Sequence, residues 1–171
     1  MIQWTPLCDG VISTRIFLPC DTISEITQQI QNDASNVVRV STVVETTTTS
    51  ETYTPSIWGD DYYEELFDKI DSVVNDGTLK RELTSSWVMR YTGDQNTLVH
   101  QHDRWHKVAI YYIDAPAGSG TLYFPEADPV LEITPVTGML VVHDGNIAHG
   151  VRKNTIENIE RYCAVLNYQL K

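Results

Sequence analysis

Apolar residues recur every three to four positions in two stretches of the first half of the chain. Ile23, Ile26 and Ile30 share one face of a helix that Asp21-Thr22 would cap. Tyr62, Leu66, Ile70, Val73 and Val74 repeat in the same way after Asp60 and Asp61, until Asp76-Gly77 stops the pattern. Between these stretches Val38, Val40 and Val44 alternate with Arg39, Ser41 and Glu45, which predicts a half-buried strand. Two amphipathic helices each need an apolar surface to lie on, so the pattern also predicts a sheet beneath them.

From Leu83 onward the period shortens to two. Trp87–Tyr91, Leu98–His102, Val108–Ile113, Thr121–Phe124, Val130–Ile133, Met139–His143 and Tyr162–Tyr168 read as strands, divided by Gly93-Asp94, Ala117-Gly118-Ser119-Gly120, Pro125, Pro135, Gly138 and Asp144-Gly145. That many short strands in about ninety positions predict a sandwich or barrel. The expected fold is mainly β with N-terminal helices: a double-stranded β-helix, or jelly roll of cupin-like plan, with the helices packed on one sheet. No repeat or linker divides the chain, so residues 1–171 read as a single domain, with 1–82 as a helical and strand support region and 83–171 as the β-rich roll.

Composition narrows the function. The 171 residues are 42% hydrophobic and 20% charged, enough to bury one core, and no apolar run is long enough to span a bilayer. Twelve Lys and Arg against 23 Asp and Glu leave a net charge of −11, which repels a phosphate backbone and argues against nucleic acid as a partner. Three scattered cysteines, Cys8, Cys20 and Cys163, do not form a disulfide framework, and the residues after Met1 lack a signal region. A reducing cytoplasm is the expected location.

All five histidines, His100, His102, His106, His143 and His149, fall within fifty residues of the β-rich half. His100 and His102 are two apart in a run of strand character, so alternation turns both to one face, with Gln101 and Asp103 on the other. His149, after the Met139–His143 strand and a turn, can return to the same end of the roll. Three neutral imidazoles on one face of an octahedron suit iron, zinc, copper or nickel and leave three positions open. A closed structural zinc site would want four ligands, commonly thiolates, and no Cys-x-x-Cys pair is present. The expected metal ligands are therefore His100, His102 and His149, with His106 and His143 in structural or supporting roles.

Arg161, twelve positions beyond His149, opens the last strand. Alternation places it with Cys163, Val165 and Asn167, opposite Tyr162, Ala164, Leu166 and Tyr168, so it can point into the roll and meet an anion there, a dicarboxylate being a suitable one. A solvated pairing with Glu157 or Glu160 is the competing reading.

Gly93-Asp94-Gln95-Asn96, His100-Gln101-His102, Ala109–Ile113, Pro116, Gly118–Phe124, Pro135–Gly138, His149 and Arg161 together resemble the Fe(II)- and 2-oxoglutarate-dependent oxygenases. The resemblance covers about residues 87 to 170 and is strongest to a prolyl-hydroxylase-like branch with a Gly-Asp-x-Asn-x-x-His-x-His segment, although three residues here separate Asn96 from His100. It implies that His100 and His149 hold iron and that Arg161 binds the remote carboxylate of 2-oxoglutarate, with Tyr112 assisting and Tyr91 lining the pocket. The family's middle ligand is Asp or Glu, whereas this chain has His102; Asp103 is the alternative if a bulge turns it inward. The implied activity is hydroxylation of a peptide side chain or small metabolite, consuming 2-oxoglutarate and dioxygen and releasing succinate and carbon dioxide. Trp58-Gly59 and Arg104-Trp105 are candidate pocket lids. Two other readings stay open: a cupin-like non-haem metal enzyme that does not use 2-oxoglutarate, and a non-catalytic ligand-binding jelly roll.

Overall fold

The computed structural model describes residues 2–32, 51–53, 61–75, 81–93, 95–104 and 106–170. The expected strand around Val38, Val40 and Val44, the Asp76-Gly77 stop, Trp58-Gly59 and Trp105 lie outside these residues. Along the chain the elements are β1 (Thr5–Cys8), β2 (Val11–Arg15), α1 (Cys20–Asn32), β3 (Glu51–Tyr53), α2 (Asp61–Val74), β4 (Arg81–Thr92) and β5 (Thr97–His100). They continue with β6 (His106–Asp114), β7 (Leu122–Phe124), β8 (Leu131–Ile133), β9 (Met139–Asp144), β10 (His149–Val151) and β11 (Glu160–Leu170).

Two sheets face each other. The larger has the order β1-β2-β9-β6-β11-β4-β3 and the smaller β5-β10-β7-β8, and every pairing is antiparallel. This is the jelly roll expected from the strand-rich half, with one addition from outside it. The hairpin β1–β2, which no strand pattern in the sequence predicts, extends the larger sheet through Val11–Arg15 beside β9. Pro6 in an edge strand and Gly10 at the turn mask its alternation, while Val11 is fully buried.

Strand alternation sorts the larger sheet's side chains into two apolar layers. Ala109, Tyr111, Ile113, Leu140, Val142, Tyr162, Ala164, Leu166 and Tyr168 face outward onto Ile26 and Ile30 of α1 and Tyr63, Leu66, Phe67 and Ile70 of α2. Val108, Ile110, Tyr112, Val141, Cys163 and Val165 face inward, where they meet Leu122, Phe124 and Ile133 of the smaller sheet. The helices lie on one sheet, as expected. The first starts earlier than its Asp21-Thr22 signal, because the Pro19 carbonyl accepts from the Ile23 amide at 3.1 Å. Asp21 then sits in the first turn, where a carboxylate complements the helix dipole.

Candidate metal centre

One strand pairing brings the first and last histidines together. In the smaller sheet β5 and β10 run antiparallel with His149 directly opposite His100, a register that places Cβ atoms about 5 Å apart. His102 arrives differently from the sequence expectation. Strand β5 ends at His100, and His102 lies in the following loop, its amide donating to the Gly145 carbonyl at 2.7 Å. A backbone bond to the β9–β10 turn therefore sets its position, rather than strand parity. Imidazole nitrogens of His100, His102 and His149 all lie within 4.8 Å of one another.

The second nitrogens show how the rings are held. The Nδ1 of His100 is 2.9 Å from the Leu98 carbonyl, and that of His149 is 2.9 Å from the Ile147 carbonyl. A carbonyl only accepts, so each Nδ1 carries the proton and each Nε2 presents a lone pair, an orientation typical of metal-bound histidine. Burial, reinforced by the neighbouring imidazoles, lowers the His102 pKa to about 4 and that of His149 to about 2. Both rings are therefore neutral near pH 7, the form that binds a metal. The donor set fits a divalent transition ion with an open side.

Asp103, the alternative middle ligand, is exposed, and its backbone carbonyl accepts from the His106 amide at 2.9 Å; it lies outside the three-histidine group. His106 at the start of β6 lies outside it as well. His143 joins the same aromatic cluster, its ring centroid 4.2 Å from that of His149.

Arg161 follows the parity the sequence predicts and lies inside the roll, 1% exposed. Its guanidinium carbon stands 3.9 Å from the centroid of Tyr91, which is its register partner on β4. One terminal nitrogen donates to the Gly120 carbonyl, while Nε is buried without a partner. Among the described residues no ion pair includes Arg161, and Glu160 instead meets Arg90, Gln31 and Tyr162. A buried guanidinium with a spare donor and no carboxylate beside it has the chemistry to hold an anion. Tyr112 is 2% exposed, and its hydroxyl, pushed up in pKa by burial, lies in the field of Arg161. The Tyr91 hydroxyl is 2.6 Å from the Thr97 hydroxyl, three residues before His100. Phe124 spans toward the metal side, with its ring 6.1 Å from His149.

No protein-family model and no curated protein matches the chain. Solved structures do. A Pseudomonas putida prolyl-4-hydroxylase superposes with a TM-score of 0.69 at 16% identity, covering 95% of this chain and 93% of its own. HygX from Streptomyces hygroscopicus, solved with nickel and 2-oxoglutarate bound, gives 0.69 at 11% identity over 95% and 83%. A prolyl hydroxylase from Trichoplax adhaerens, in complex with a hypoxia inducible factor peptide fragment, gives 0.70 at 19% identity over 94% and 83%. The chain thus has the jelly-roll fold of these oxygenases, and the shared feature is the backbone plan.

Proposed function

We propose that the chain is an Fe(II)- and 2-oxoglutarate-dependent oxygenase that hydroxylates a peptide side chain or small metabolite. The observation that carries this reading is Arg161, a buried guanidinium without a carboxylate partner, in the same roll as three converging imidazoles. His100, His102 and His149 would hold the iron. Arg161, stacked on Tyr91 and joined by Tyr112, would take the far carboxylate of 2-oxoglutarate through its spare donor. When bound, iron and 2-oxoglutarate supply an oxidant from dioxygen, with release of succinate and carbon dioxide. The protein's own share is orientation and exclusion of water: the Leu98 and Ile147 carbonyls fix two rings, and Leu122, Phe124 and Val141 keep the interior apolar. The free thiols of Cys8, Cys20 and Cys163 fit a reducing compartment such as the cytoplasm.

One feature favours a second reading. His102 replaces the carboxylate of the family pattern, which also suits a metal enzyme of cupin type that makes no use of 2-oxoglutarate. Anaerobic titration of the Fe(II)-loaded protein with 2-oxoglutarate separates the two. A saturable visible charge-transfer band at one equivalent supports the oxygenase. Iron uptake without a band favours the cupin-type enzyme, and no iron uptake favours a non-catalytic roll.

A further inference from the structure

Four of the five histidines form one cluster, and the fourth has a nitrogen left over. His143 projects from β9 into the roll, on the same face as Val141, and is fully buried. Its ring lies 4.2 Å from His149 and 6.4 Å from His102, centroid to centroid, and Phe124 meets it edge-on at 5.4 Å. The Nδ1 atom is 2.8 Å from the Asp144 carbonyl, so Nδ1 carries the proton and Nε2 of the neutral ring is a bare acceptor. That Nε2 is buried and has no hydrogen-bond partner among the described residues. The protonated nitrogens of His100 and His149 already serve the Leu98 and Ile147 carbonyls, so neither can donate to it. A buried acceptor left without a donor is costly, and in this cluster a proton-bearing ligand of the metal can supply one.

We propose that His143 is a positioning residue for the open side of the metal centre: its Nε2 accepts a hydrogen bond from a proton-bearing metal ligand, water in the resting protein, and so disfavours a proton-free anion at that position. This rests on the metal-centre reading. The lone pair of His143 would act at a position that a bound keto acid leaves open, and would govern which ligand is accepted there.

The test loads wild type, His143→Gln and His143→Leu with Co(II), and titrates each with azide while following the visible cobalt bands. Azide is an anion without a proton to give, so it binds weakly to wild type. A glutamine amide can turn its NH2 toward a bound anion, as the Nδ1-protonated imidazole cannot, and His143→Gln binds azide about tenfold tighter or more; His143→Leu, which removes the lone pair without adding a donor, falls between. Should His143→Gln not fold, His143→Leu against wild type carries the comparison, since removal of the lone pair alone should tighten azide binding severalfold. All folded proteins take up one equivalent of cobalt. Azide affinities equal within about twofold would overturn the proposal, as would loss of cobalt from folded His143→Gln and His143→Leu, which would make His143 a ligand. Failure of wild type itself to take up cobalt would instead overturn the metal centre.

Discussion

Among the candidate site's residues, Arg161 links the sequence most directly to the proposed cofactor chemistry. Its inward parity is readable from the alternation Arg161, Cys163, Val165, because a strand turns successive side chains to opposite faces. Its lack of a carboxylate partner is not readable, since Glu157 and Glu160 are near in sequence and only the fold turns Glu160 toward Gln31 and Tyr162. Arg161→Ala is expected to raise the half-saturating 2-oxoglutarate concentration about tenfold to hundredfold, as loss of a charge-assisted hydrogen bond would, with iron uptake still at one equivalent. Arg161→Lys should recover part of the loss. An unchanged half-saturation in the charge-transfer titration would remove Arg161 from the cofactor site. The histidines make a separate prediction about stability. Burial lowers the pKa of His102 to about 4, of His143 to about 3 and of His149 to about 2, against 6.5 for the free side chain. Between those values and 6.5 the unfolded chain binds more protons than the folded one, so stability rises with pH across this window and falls as pH drops below about 6.5. Each histidine contributes up to about 1.4 kcal/mol per pH unit. Urea midpoints of the metal-free protein should therefore fall from pH 7 to pH 5, and His143→Leu should flatten the dependence.

Among the elements, the pairing of β5 with β10 does most to assemble the site. It sets His149 opposite His100, and the β9–β10 turn then holds the loop that carries His102. Gly145 is the contact point: its carbonyl accepts from the His102 amide, and its own amide donates to the His106 carbonyl at 2.8 Å. A Cβ at this position would lie 2.2 Å from the Asp103 carbonyl oxygen and 3.0 Å from that of His106. Backbone cannot yield as a side-chain tip can, so Gly145→Ala should push the loop away. The expected result is at least about tenfold weaker metal binding with no ligand altered, because a site loosened by one ångström loses much of its preorganisation. Isothermal titration with Co(II) would read it, and an unchanged affinity would show that His102 is placed by something other than this turn. Sequence alternation did bring His100 and His102 together in principle, yet the physical cause differs. The strand stops at His100, and a backbone hydrogen bond across sequence positions 102 and 145 does the work assigned to parity.

At the scale of the whole molecule, the larger sheet separates two apolar layers with different duties. The outer layer joins helices to sheet through Ile70, Leu66, Leu140 and Leu166; the inner layer fills the roll, where its Phe124 meets His143 and His149. Ile70 is fully buried, so Ile70→Ala should cost about 2–5 kcal/mol of folding stability. Below the unfolding transition, the affinities for metal and 2-oxoglutarate should stay unchanged. A loss of both affinities in the folded variant would mean that the helices shape the centre as well as support it. Local patterning was sufficient for the helices and for most strands, since a period of 3.6 or 2 is a property of neighbouring residues and needs no knowledge of what they pack against. It was insufficient for β10, three residues with Gly150 in the middle, and for the β1–β2 hairpin, whose short strands owe their stability to pairing. By itself the sequence determined the alternating class, the inward face of Arg161 and the set of histidines available. Only the tertiary structure decided which of those histidines meet, because register between strands fifty residues apart is chosen by the burial of whole faces and by turns such as Gly145. No local run of residues contains that information.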